Sequence, residues 1–150
     1  MTEREEKAKA WLNRNYGMSL EIAAFERRLE RMASDLEKVC KPLRLKEVQE
    51  EPAGNSQEER MAEFLDLSSE VEKKKLMLDR ADKETMRVIE QVEGSVLRTI
   101  LIERYVNRLR WKEMVNRIHF EQSRLFDYHR QALDAVLPYI PEEAKRNEQT

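Results

Sequence analysis

Six side chains in one short stretch could do chemistry together. Gln122, Ser123, Arg124, Phe126, Asp127 and Arg130 fall on outward positions of a helical pattern whose inward positions are Leu125, Tyr128, Ala132, Leu133 and Val136. An arginine at such a position can pair with guanine, a glutamine with adenine, and a phenylalanine can touch a thymine methyl, so the row suits base edges in a major groove. For Phe126 alone, packing against another part of the chain or a partner is an equal reading. Arg108, Arg110 and Lys112 precede the row, at the entrance to a second helical pattern, where cations on phosphates would fix a docking angle. Residues 98–130 hold eight basic and four acidic side chains, a net +4 in a chain of net −2, which leaves −6 for the remainder. A basic end on an acidic body fits docking of that end alone on double-stranded DNA, although charges on helices also serve simply to solvate them.

Other chemistry finds little support. His119 and His129 have no cysteine or carboxylate at metal-ligand spacing, and His129 falls near an inward face, where a satisfied core histidine is the commoner outcome. There is no glycine-rich phosphate loop and no nucleophile–base grouping, so the sequence predicts a protein without catalytic residues, metal or cofactor. The single cysteine, Cys40, excludes an internal disulfide and reads as an inert helix-end residue.

The elements that must position these groups are all helical. Trp111, Met114, Val115 and Ile118 give one buried face over two turns, Phe120 plugs the joint that follows, and Leu97, Ile100, Leu101 and Tyr105 form a third stripe upstream. Three short amphipathic helices in tandem can close a small core that none could bury alone. Before them, Trp11, Asn15, Met18, Ile22, Phe25, Leu29, Met32, Leu36 and Val39 alternate by four and three, the signature of a coiled-coil seam. A second stripe runs through Met61, Phe64, Leu67, Val71, Leu78, Ala81, Val88 and Val92, with Lys74 and Thr85 at its weaker positions. The chain therefore reads as all-α. Residues 1–45 are expected to form the first long helix of a stalk, 46–59 a flexible loop around Pro52, Gly54 and Asn55, and 60–93 the second long helix. Residues 94–138 are expected to form a compact three-helix unit, and 139–150 a polar tail.

Charged residues at 39% against 7% aromatics suit long solvated helices and argue against sheets. No run approaches the roughly 18 apolar residues that span a bilayer, and no signal peptide is visible, so the expectation is a cytoplasmic protein with no membrane partner. The seam offers a homodimer contact, which an intramolecular hairpin would satisfy equally.

The stretch ERYVNRLRWKEMVNRIHFEQSRLFDYHRQAL resembles the C-terminal unit of phage- and prophage-encoded regulators of the ArpU/RinA late-activator type, itself similar to domain 4 of bacterial sigma factors. Tyr105, Trp111, Glu113, Leu125, His129, Ala132 and Leu133 fall on the family pattern, and the opening KAKAWLN is similar to the family's start. The resemblance implies a helix-turn-helix that docks on promoter DNA in a bacterial host cell, with bacterial RNA polymerase as a possible second partner. This chain has His119 where the pattern has a turn glycine, Val115 for a small alanine, Glu121 for a Ser or Thr cap, and Asp127 on the face that would meet DNA. A non-catalytic interaction or assembly protein is the alternative, including the DNA-recognition small subunit of a phage packaging machine. In those subunits, however, the DNA-binding unit generally comes first.

Overall fold

A computed structural model describes residues 1–45 and 56–141, with side chains described for 1–38 and 57–141. Among the described residues six α-helices follow in order: α1 (Glu3–Leu12), α2 (Tyr16–Leu45), α3 (Ser56–Glu90), α4 (Ser95–Leu101), α5 (Trp111–Ile118) and α6 (Gln122–Val136). A π-helical turn, Ile102–Val106, extends α4, and a 3₁₀ turn, Leu137–Tyr139, extends α6. The protein is all-α, with no strand among the described residues. No described helix is long and apolar enough to cross a membrane.

The chain divides into two compact units. One is Gly17–Leu78; the other joins Met1–Tyr16 to the chain from Asp79 onward. In the first unit, α2 and α3 run antiparallel. Glu21 pairs with Lys74 and Glu26 with Lys75, whereas Met32, Asp35 and Leu36 share a cavity of about 440 Å³ with Arg60 and Glu63. The expected seam is present but only partly covered. Ile22, Leu36 and Val71 are buried, and Met18, Phe25, Leu29, Met32, Phe64 and Leu67 are half-buried. Two helices bury one face each and cannot enclose a larger stripe. The ammonium of Lys74 also lies 5.0 Å from the Phe25 ring centroid, so its stem covers part of that ring.

The second unit corrects the expected boundaries. The first long helix is not continuous, because residues 13–15 form a turn between α1 and α2. Trp11 and Asn15, placed at the head of the stalk seam by spacing alone, belong instead to the compact unit. Ala8, Trp11 and Leu12 of α1 pack with Val88, Ile89 and Val92 of α3, and with Leu101, Tyr105, Ala132, Leu133, Val136 and Ile140. Asn13 and Asn15 are poor helix formers that bond readily to nearby backbone, which lets the chain turn here. Arg14 fastens the turn: its guanidinium lies 3.8 Å from the Trp11 ring centroid, donates to Trp11 O and Thr85 Oγ1, and faces Glu84. A capping box starts α1, with Thr2 Oγ1 accepting from Glu5 N at 3.2 Å and Glu5 Oε2 accepting from Thr2 N at 3.0 Å.

Further corrections concern the other boundaries. The second long helix already includes Ser56, ahead of the expected start at 60, and ends at Glu90; its last turns serve the compact unit. That unit has a fourth and a fifth helical contributor and reaches beyond 138, since Ile140 is buried in its core. Residues 46–55 of the expected loop and 142–150 of the expected tail lie outside the described residues, as does the side chain of Cys40. Gly94 lies at φ 105, in the region closed to side chains, and so supplies the sharp joint between α3 and α4.

Candidate nucleic-acid interface

The core beneath α5 and α6 fixes the faces they present. Ile100, Met114 and Leu125 are buried together, with Leu109, Trp111, Val115, Ile118, Phe120 and Tyr128 packed around them. Between the two helices His119 adopts the left-handed conformation, φ 62 and ψ 29, and its N–H donates to Val115 O at 3.1 Å. The joint therefore has a left-handed geometry that glycine adopts freely, imposed here on a residue that adopts it less readily. Glu121 occupies the cap position of α6 and makes no side-chain cap bond, which leaves first-turn N–H groups of α6 to solvent.

The structure distributes the nine residues singled out from the sequence unequally. Gln122, Ser123, Asp127 and Arg130 are exposed on α6 and have no side-chain partner among the described residues. Arg124 is exposed but folded over aromatic rings. Its guanidinium lies 5.2 Å from the Phe120 centroid and 5.6 Å from that of Tyr128, whose hydroxyl it approaches at 3.4 Å. Phe126 packs edge-on against Trp111 with centroids 5.0 Å apart, and remains 36% exposed. Lys112 is exposed without a carboxylate partner among the described residues. Arg110 is exposed and pairs with Glu113 at 2.8 Å, a bond that raises the arginine pKa and lowers that of the glutamate. At the surface such a pair is weak and readily exchanged for a stronger anion.

Arg108 has a different task. It sits at φ 58 in the joint before α5, and its guanidinium grips Asp82 of α3 through two bonds of 2.8 and 3.1 Å, while also donating to Val106 O at 2.7 Å. Those bonds occupy Arg108 in holding the joint to α3, so it is not a free cation for phosphate. The signal that separates it from Arg110 and Lys112 is Asp82, which lies 26 positions upstream, and no local spacing reveals it.

Sequence reasoning also missed how α1 borders the candidate face of α6. Arg4 pairs with Asp134 at 3.1 Å, and Met1 and Lys9 line a 230 Å³ cavity with Trp111, Phe126, His129 and Arg130. The second half of α6 is thus flanked by α1, with Glu3, Glu5 and Glu6 in its first turn. The first two turns of α6, carrying Gln122, Ser123 and Asp127, stay open.

His129 is buried, as its inward position implies. Its Nε2 lies 2.6 Å from the Tyr105 hydroxyl, and Trp111 meets the ring edge-on with centroids 4.7 Å apart. Burial, reinforced by Lys9 and Arg104, pushes the imidazole pKa down to about 4, and burial raises that of Tyr105. Among the described residues no cluster of three or more histidine, cysteine, aspartate or glutamate side chains could hold a metal. No family model, curated protein or solved structure matches the chain.

Proposed function

We propose that the α5–turn–α6 unit docks on double-stranded DNA and that the protein is a sequence-specific regulator of transcription, of the kind phages and prophages use for late genes in the cytoplasm of a bacterial host. The observation that carries this reading is the open start of α6. Gln122, Ser123 and Asp127 stand in solvent with no partner among the described residues, and Lys112 offers a free cation on the neighbouring helix. An exposed helix start with base-pairing side chains, buttressed by a second helix with cations, matches how helix-turn-helix units enter a major groove. The absence of a side-chain cap adds free N–H donors at the point where phosphate approaches.

The test is fluorescence anisotropy on duplexes selected from a random pool, repeated over a range of salt. Lys112→Ala should weaken binding similarly on all sequences and reduce the salt slope by about 1, as one lost phosphate contact does. Gln122→Ala should cost roughly 1–3 kcal/mol on the selected site and much less on unrelated DNA. No binding by the wild type to any selected duplex at ~50 mM salt, where counterion release is strongest, would sink the reading in favour of a protein-docking or assembly role.

The hairpin supports a homodimer as part of the same reading. Leu65 and Leu76 are 58% and 57% exposed, and with Met61 they fall on one side of α3 at helical spacing. A second hairpin laid on that stripe would cover what two helices leave open, and would supply the paired units that two half-sites require. RNA polymerase is the other partner this surface could serve. Sedimentation equilibrium should give a dimer mass at micromolar protein, and Leu65→Glu with Leu76→Glu should give a monomer of unchanged helix content. A monomer mass for the wild type would remove the dimer.

A further inference from the structure

A cavity of about 260 Å³ opens beside the joint that precedes α5. Its walls are Leu12, Asn13 and Tyr16 from the α1–α2 turn, Arg104 and Tyr105 from the π-helical turn, and Arg108 and Arg110 from the joint. Three guanidinium groups thus border one small space. The carboxylates nearby are engaged: Asp82 holds Arg108, Glu113 holds Arg110, and Glu103 accepts from Asn107. Arg104 has no carboxylate partner among the described residues. It donates through Nη1 to Leu109 O at 2.8 Å, and its guanidinium carbon lies 4.8 Å from the Trp111 ring centroid. A half-buried guanidinium that bonds only to a carbonyl and a ring face retains donors and an uncompensated charge. The start of α5 lies at the same place. Its cap residue is Arg110, which makes no side-chain cap bond, so the positive end of the helix adds to the field.

We propose that this cavity binds a phosphate group, held by Arg104 and Arg110 with the Asn13 amide as a further donor. Guanidinium groups match phosphate oxygens in pairs, and the exposed Arg110–Glu113 pair yields to such a ligand at little cost. The space is smaller than a drug-sized pocket, so it admits a phosphate with a short stem and no complete nucleotide. The phosphate is either free, as the ion or a small phosphomonoester, or a diester of a DNA backbone passing the joint. The site stands on its own walls and charges, so it does not require that α6 read bases.

The probe is inorganic phosphate added to the full chain, followed by ¹H–¹⁵N spectra of the Trp111 indole and the Arg104 Nε–H, with chloride at matched ionic strength as control. Saturable shifts of both signals at millimolar phosphate, absent with chloride, establish a free-phosphate site. Arg104→Gln should weaken that binding by about tenfold, the loss of one charged hydrogen-bonding partner. Because Arg104 also supports Leu109, Arg110→Gln serves as a second variant at an exposed position and should weaken binding severalfold with the fold intact. A short duplex of arbitrary sequence is the second arm: the same two signals moving with duplex and not with phosphate assign the site to the DNA backbone. Phosphate binding with no response to this duplex would keep the cavity as a free-phosphate site, and the DNA-binding reading then stands or falls on the selected duplexes alone. Shifts that are linear and equal in phosphate and chloride, with no response to duplex, overturn the proposal.

Discussion

Truncating Trp11 to alanine should destabilise the compact unit by about 3–5 kcal/mol, the cost of removing a large buried aromatic from a packed core. Trp11 is 5% exposed and packs beside Leu12 and Ala8 in the core that also holds Ile89, Leu101, Leu133 and Val136. Its loss strips the surface on which Arg14 rests, so the turn between α1 and α2 loses its clamp as well. Phe25→Ala is the matched comparison in the Gly17–Leu78 unit. There the ring is only half-buried, so the loss should be about 1–2 kcal/mol. Only two tryptophans are present, and Trp111 then reports alone on the compact unit during urea unfolding. If Trp11→Ala costs no more than Phe25→Ala, α1 is not part of this core, and the continuous seam expected from spacing is the better description.

That comparison also shows where the sequence could be read and where it could not. The 4-3 alternation from Met18 to Leu36 reports a local periodicity, and local periodicity is what decides which helix face is buried. The same holds for Trp111, Met114 and Ile118 and for the inward row of α6, whereas the left-handed joint at His119 follows only from the resemblance, whose pattern has glycine there. Trp11 and Asn15 continue the alternation by number although a turn separates them from the stalk. The competing signals were present: Thr2 and Glu5 form a capping box, and two asparagines followed by Gly17 weaken any helix that crosses them. Arg108 illustrates the other limit. Its type and position match Arg110 and Lys112, and only the distant carboxylate of Asp82 turns it inward. The placement of α1 against α6, made by Ala8, Trp11 and Leu12 packing with Ala132, Leu133 and Val136 and edged by the exposed Arg4–Asp134 pair, is likewise a set of contacts that no window of sequence contains.

The stability of the compact unit should fall by roughly 3 kcal/mol between about pH 6.5 and pH 4 on account of His129 alone, since each tenfold loss of proton affinity on folding is worth about 1.4 kcal/mol. The folded-state pKa of the imidazole is lowered to about 4, first by burial and then by Lys9 and Arg104. In the unfolded chain the same ring takes a proton near pH 6.5, so below that pH the unfolded state binds more protons and gains on the folded one. Stability is therefore full above the unfolded value and is lost as pH falls toward the folded value. The cause is geometric. A neutral ring satisfies the 2.6 Å bond with the Tyr105 hydroxyl and lies edge-on to Trp111, whereas an imidazolium there is desolvated and faces two cations. His129→Gln keeps a polar group beside Tyr105 without the titration, and should flatten the profile over this window even if it lowers stability at neutral pH. Urea unfolding at stepped pH measures both proteins, and a histidine ring signal titrating near 6.5 in the folded wild type would remove the prediction. The consequence reaches the proposed DNA-docking face, because His129 ties α6 to the π-helical turn through Tyr105. Acid that protonates this ring loosens the helix that carries Gln122 and Ser123, so any DNA affinity held by that face should decline over the same pH range, and His129→Gln should be spared that decline.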